Sequence, residues 1–384
     1  MKIFNIIIVC FIIFIFFLLS HFERKMKFGQ KKKILFFFTI VISFFSAFRV
    51  IGLDLEPYRT IFENTPITSL NLEFVKHMFS GRLEPFFVVV ISILKNLGMG
   101  FKSFLFVSSF VPLLLIYSII TKHEKEIPLT TYFLFLSILL FQGPINLIRH
   151  FFAASIYLSA LYSLSTNRNA RYLLKSLFTV LIHYSNLSIV LIRPFLSIKW
   201  DRKKYIITML LIVILTFMIK GIVVGILSNV NISINNYILW KFQYYMIYYN
   251  VEGYMYLNEL HKILLFIMTN FLFVFNFFVT LYALKYKELI RMDRFYHLLL
   301  NSQIIGSFLM VFFAIFDAST LGQRLYFLFS IGSFLLVKEV IFKYSEGDRK
   351  GVFRLIFMLL CFYNFIIILY YAGIHDPNSQ FYLL

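Results

Sequence analysis

The chain has 384 residues, of which 60% are hydrophobic and 20% aromatic, with a mean hydropathy of +0.82. That apolar share lies well beyond the range of soluble globular domains, so the expected fold class is an all-α polytopic membrane protein. A formal net charge of +19 comes from 37 Lys and Arg against 18 Asp and Glu; the bases gather in short stretches between apolar runs, as in cytoplasmic loops that follow the positive-inside bias, which argues against a nucleic-acid partner.

Requiring about 17 to 25 apolar residues per span, clear spans are expected near 3–20, 34–51, 103–120, 128–143, 149–166, 205–228, 261–284, 298–316, 325–342 and 352–372. The first has an apolar run too long for a signal-peptide core and no small-residue cleavage site before the basic stretch that follows, so it reads as a retained span. Two further segments are awkward. Residues 85–97 are short and contain Lys95, and 172–192 is interrupted by His183-Tyr184-Ser185-Asn186. Interrupted segments of this kind form broken or re-entrant helices lining cavities. The expectation is therefore about 10–12 transmembrane helices, one or two of them broken or re-entrant, in a single integral membrane domain over 1–384. The 51 Phe and 24 Tyr supply lipid-facing bulk and core filler, and 15 Gly are too few for close small-residue packing throughout.

Orientation follows from the loops. Residues 21–33 carry six Lys or Arg against one Glu, 193–204 five against one Asp, and 285–294 four against two acids, so all three should be cytoplasmic. The long loops at about 52–84 and 229–260 are not base-rich and belong outside, which also puts both termini outside. The basic turn at 167–171 then conflicts with a full crossing at 172–192. A helical hairpin over 172–197, bending at His183, removes the conflict and is preferred; Arg149 then starts its helix at the outer face. Cys10 and Cys361 lie inside apolar runs without metal-ligand spacing, and no disulfide between them is expected.

An ionisable side chain at the centre of a bilayer costs roughly 2.5 to 3.5 kcal/mol even on insertion scales, so those that occur in apolar segments invite a functional reading. The stretch 146–193 holds Arg149, His150, Ala153 and Ala154 on one helix, a basic turn, a second helix, and then His183, Ser185, Asn186 and Leu187. This arrangement resembles the EpsG-like family of bacterial polysaccharide polymerases, relatives of the Wzy-type O-antigen polymerases. The likeness extends to Gly52, Asp54 and Tyr58 after an early span, to Glu84 at the head of a short apolar segment, and to Arg324 heading a late span. The chain departs from the family pattern at His150, where many members have Gln, and at Asn186, which replaces a small apolar residue.

The resemblance implies a glycosyltransferase that joins polyprenyl-pyrophosphate-linked oligosaccharide repeat units at the outer face of the bacterial inner membrane, building O-antigen, capsule or exopolysaccharide. No cofactor is expected, and no metal, since His183 has no His or carboxylate at i+3 or i+4. Its expected partners are the lipid-linked oligosaccharide and the bilayer, with room for a chain-length regulator and a flippase. A flippase or transporter of lipid-linked oligosaccharide, and a glycan ligase or acyltransferase, stay open as alternatives.

Within that reading Arg149, whose planar fork suits phosphate oxygens, would hold the departing diphosphate; the bland alternative is an interfacial Arg that snorkels to headgroups. His183 would shuttle a proton or donate to a phosphate or sugar oxygen, or is a structural donor. Asp54 or Glu84 would take the proton of the attacking hydroxyl, or is an ordinary solvated acid; Glu56 is a weaker third choice. Tyr58, His150, Asn186, Asp317, Gln323 and Arg324 are expected to bind substrate, Arg324 by holding a second pyrophosphate lipid. The Tyr-rich stretch 236–260 with Trp240 suits sugar stacking and an interfacial amphipathic helix equally well.

Overall fold

A computed structural model describes residues 22–49, 55–67, 84–124, 129, 147–229, 259–286, 293–316 and 319–342. Among these every regular element is helical, and the fold is that of an all-α polytopic membrane protein. Among the described residues three helices, Phe101–His123, Arg202–Val223 and Arg294–Ile315, are long and apolar enough to cross a membrane. The chain divides into two compact units, Met1–Val190 and Leu191–Leu384.

In the first unit, α1 (Phe28–Phe48) packs on α4 (Phe101–His123). Ser109 on α4 donates to Ser46 on α1 at 2.6 Å. α1 starts six residues before the apolar run expected at 34–51, because Lys is a good helix former and Gln30 takes the Lys27 amide at 2.9 Å. Short α2 (Leu55–Asn64) and α3 (Pro85–Asn96) are tied end to end. Lys95 donates to the carbonyls of Glu63 at 2.8 Å and Thr65 at 2.6 Å, which answers its position in a short apolar segment: it closes the C-terminus of α2. α3 stops at Gly98, whose φ of 70° suits a residue without Cβ. There the Gly98 and Met99 amides return to Lys95 and Leu94.

α5 (Ile148–Ser165) is the most enclosed helix of this unit, with Ala153, Ala154 and Ala160 wholly buried. It ends in a tight turn with Asn167 at φ 59°. The Asn167 and Arg168 amides bond back to Leu164 and Ser163 at 3.2 and 2.9 Å, a left-handed helix end that Asn tolerates. α6 (Asn169–Ile182) follows and packs along α5. At His183 the backbone becomes extended (φ −158°, ψ 119°), then makes a single 3-10 turn at Tyr184–Asn186 before α7 (Leu187–Leu191). The Tyr172 hydroxyl, in the first turn of α6, donates to the Ile189 carbonyl at 3.2 Å. Residues 17 positions apart meet this way only if the chain doubles back. The chain therefore turns back at His183 as far as Ile189, which is the bend expected of the 172–197 segment.

In the second unit, α10 (Arg294–Ile315) is central and packs against α8 (Arg202–Asn229), α9 (Glu259–Lys285), α11 (Ser319–Phe329) and α12 (Ser333–Phe342). Gln303 on α10 donates to Asn276 O and Thr280 Oγ1 of α9 at 2.9 and 2.8 Å. The single span expected at 325–342 is corrected: the helix breaks after Phe329, and the Ser333 and Leu335 amides restart it from the Ser330 and Gly332 carbonyls. The Ser-Ile-Gly-Ser sequence offers poor helix formers at the break, and its apolar flanks concealed it. The spans expected at 3–20 and 352–372, the one at 128–143 apart from Leu129, and most of the loops at 52–84 and 229–260 lie outside the described residues.

Candidate active site

Glu84 is the N-cap residue of α3, with Pro85 in the first helical position. An acid there ordinarily bonds the amides of its own first turn. The Glu84 carboxylate makes no such bond; it is buried and reaches across the unit instead. One oxygen, Oε2, accepts from Arg149 Nη1 at the start of α5, in a very short ion pair. The other, Oε1, lies 2.5 Å from His183 Nδ1 at the bend after α6. A buried carboxylate without partners would be very costly. Two partners from two other elements explain how this one is tolerated.

Arg149 is held a second time. Its Nε donates to the Tyr58 hydroxyl at 3.1 Å, and its guanidinium lies 5.7 Å from the centre of the Tyr58 ring. Of five guanidinium N–H donors, two are thus directed by Tyr58 and Glu84, and among the described residues no other protein group takes the remaining three. The Arg149 side chain is 21% exposed, against 3% for Glu84. The cluster therefore opens to its surroundings through the arginine, while the carboxylate and the His183 ring are buried.

His150, next along α5, turns inward, and its buried ring meets that of His183 edge to face at 4.1 Å between centroids. An aromatic floor packs the helices that carry these groups: Phe86 contacts Phe152 and Phe178, and Phe87 contacts Phe104 and Phe152. Tyr58 also leans on Phe104. This floor joins α2, α3, α4, α5 and α6, so the abundant Phe of the sequence fixes the helices that carry the polar groups.

Asn186 stands behind the bend. Its Nδ2 donates to the Thr179 carbonyl at 3.0 Å, the oxygen that also takes the His183 amide at 3.0 Å. Two donors on one carbonyl finish the broken end of α6 and set where His183 points.

Of the residues singled out from sequence, the structure brings Tyr58, Glu84, Arg149, His150 and His183 together, with Asn186 supporting them. Gln323 and Arg324 sit half-buried on α11 of the second unit. Asp54 and Asp317 lie outside the described residues. Glu56 is exposed beside Arg59 at 3.8 Å and joins no cluster. Sequence reasoning passed over Arg49, a buried cation at the end of α1 that donates to the Ser46 carbonyl and hydroxyl at 2.7 and 2.6 Å; an Arg closing an apolar run was its signal. Among the described residues no group of three or more His, Cys, Asp or Glu could hold a metal ion.

The EpsG family model matches residues 32–383, nearly the whole chain. The chain belongs to the EpsG family. EpsG membership points to a polysaccharide-polymerase type of role with glycosyltransferase-like chemistry, in keeping with a membrane fold. No curated protein and no solved structure matches this EpsG protein.

Proposed function

We propose that the chain is a polymerase of the bacterial inner membrane that joins polyprenyl-pyrophosphate-linked oligosaccharide repeat units at the outer face. In the reaction a hydroxyl oxygen of one unit bonds to the anomeric carbon of another. The bond from that carbon to the pyrophosphate oxygen breaks, polyprenyl pyrophosphate leaves with the electron pair, and the hydroxyl proton passes to a base.

The observation that carries this reading is the twice-held, part-exposed guanidinium of Arg149. A departing diphosphate develops negative charge as the bond breaks, and donors already fixed in place stabilise that charge without having to reorganise. Glu84 and Tyr58 supply the fixing. With Glu84 ionised, the His183 proton sits on Nδ1 and the lone pair of the neutral ring on Nε2, which makes His183 the proton acceptor and Glu84 its orienting partner. This differs from the expectation that Glu84 itself is the base. A carboxylate engaged on both oxygens, by Arg149 and His183, is a poor one. Arg324 is read, as expected from the sequence, as a cation for a second pyrophosphate-bearing lipid.

The surface glycan of a deletion strain tests the proposal. Single repeat units on the lipid or core acceptor are expected in place of long chains. Absence of any exported unit would indicate a flippase instead, and full chains lacking a decoration an acyltransferase; either overturns the polymerase reading.

A further inference from the structure

A second polar cluster in the first unit lies about 15 to 20 Å further along α5 than Arg149, at 1.5 Å of rise per residue. Lys175 of α6 extends its ammonium onto α5, donating to Ser159 Oγ at 2.6 Å, Ser163 Oγ at 2.9 Å and the Ser159 carbonyl at 3.1 Å. Arg171 stands one helical turn before Lys175 and Arg168 caps the same helix, while Lys122 lies in the last turn of α4, which meets α5 through His123 and Tyr162 with ring centres 6.1 Å apart. The acid nearest in sequence, Glu124, is engaged by His123 Nδ1 at 2.8 Å. Four cations drawn from two helices, α4 and α6, thus share one end of the bundle, and the left-handed turn at Asn167 gives Arg168 a defined place among them.

Below this basic head Leu174, Leu177 and Leu181 run along one face of α6, all exposed. Their spacing of three and four residues keeps them in line with Arg171. Concentrated positive charge above an uncovered apolar stripe matches a lipid in both its parts. We propose that this face holds one anionic phospholipid, its phosphate among Lys122, Arg168 and Arg171, with the Lys175 ammonium, bonded to α5, adding charge behind them, and an acyl chain along the leucine stripe. A zwitterionic headgroup brings an ammonium that the four cations repel, so the site selects phosphatidylglycerol-type lipids over phosphatidylcholine.

Native mass spectrometry of the full-length protein, released from vesicles of phosphatidylglycerol and phosphatidylcholine in equal parts, tests this. Phosphatidylglycerol should be retained in preference to phosphatidylcholine. The Arg168→Gln/Arg171→Gln variant should reduce that preference by about five-fold per cation removed, the equivalent of ~1 kcal/mol for one base near an anionic surface. The charge-conserving Arg168→Lys/Arg171→Lys variant, which controls for folding, should keep it. Inorganic phosphate added in excess should leave the bound lipid in place, since it cannot use the stripe. Equal retention of the two lipids, a preference untouched by the Gln pair, or displacement by inorganic phosphate would overturn the proposal.

Discussion

Glu84 and His183, 99 residues apart in the chain, meet at 2.5 Å between Oε1 and Nδ1. The same carboxylate receives Arg149 on its other oxygen, so one buried acid holds a cation and an imidazole together. The consequences of changing any member follow from which groups are left without a counterpart.

Replacing Glu84 with Ala removes the one carboxylate paired with Arg149 among the described residues. Breaking a buried pair by deleting one side costs about 3–5 kcal/mol, a figure reduced here because Arg149 is part-exposed. Thermal unfolding in detergent should show the loss. The Arg149→Ala/Glu84→Ala double variant should cost less than the sum of the two single changes, as coupled neighbours do. Strict additivity would mean that the pair does not act as a unit.

Tyr58→Phe keeps the ring contact with Arg149 and removes only the hydroxyl that accepts from Nε. One hydrogen bond is worth about 1 kcal/mol, so this variant should stay folded. Polymer yield measured at matched protein levels should drop several-fold without reaching zero.

Asn186→Ala removes one of two donors on the Thr179 carbonyl at the bend. A loss of about 1 kcal/mol in stability is expected, together with reduced chain formation because His183 is no longer held. Wild-type chain lengths from this variant would separate the bend from the chemistry.

In the second unit, a Cβ added at Gly306 would come within 2.9 Å of Phe329 Cβ and 3.4 Å of the Tyr326 ring. Gly306→Ala should therefore push α11 away from α10 and destabilise the protein by about 1–3 kcal/mol. Gly29 has open space around it, and Gly29→Ala is the matched control, expected to be neutral or slightly stabilising in thermal unfolding.

Hydropathy made the long helices legible: α4, α5, α8, α9 and α10 begin and end within a few residues of the apolar runs that announce them. The bend at His183 was legible too, because four polar residues inside an apolar run require a break, and the two basic stretches flanking it required a reversal. The break at 330–332 was hidden by apolar neighbours on both sides. Arg149, His183 and Glu84 could each be picked out as a polar group in an apolar setting. That Glu84 joins the other two was not legible, since it depends on contacts spanning 65 and 99 residues that no local period encodes. The inward turn of His150 toward His183 was hidden for the same reason.

Complementing the deletion strain with Arg149→Ala and Arg149→Lys, each confirmed in the membrane at wild-type amount, gives the sharpest reading, with glycan chain length as the measurement. A lysine keeps the positive charge but cannot bond Tyr58 and Glu84 while also presenting a planar fork of donors. Both variants are predicted to leave only single repeat units. Long chains of wild-type length from Arg149→Ala would contradict a role for this guanidinium in joining the units.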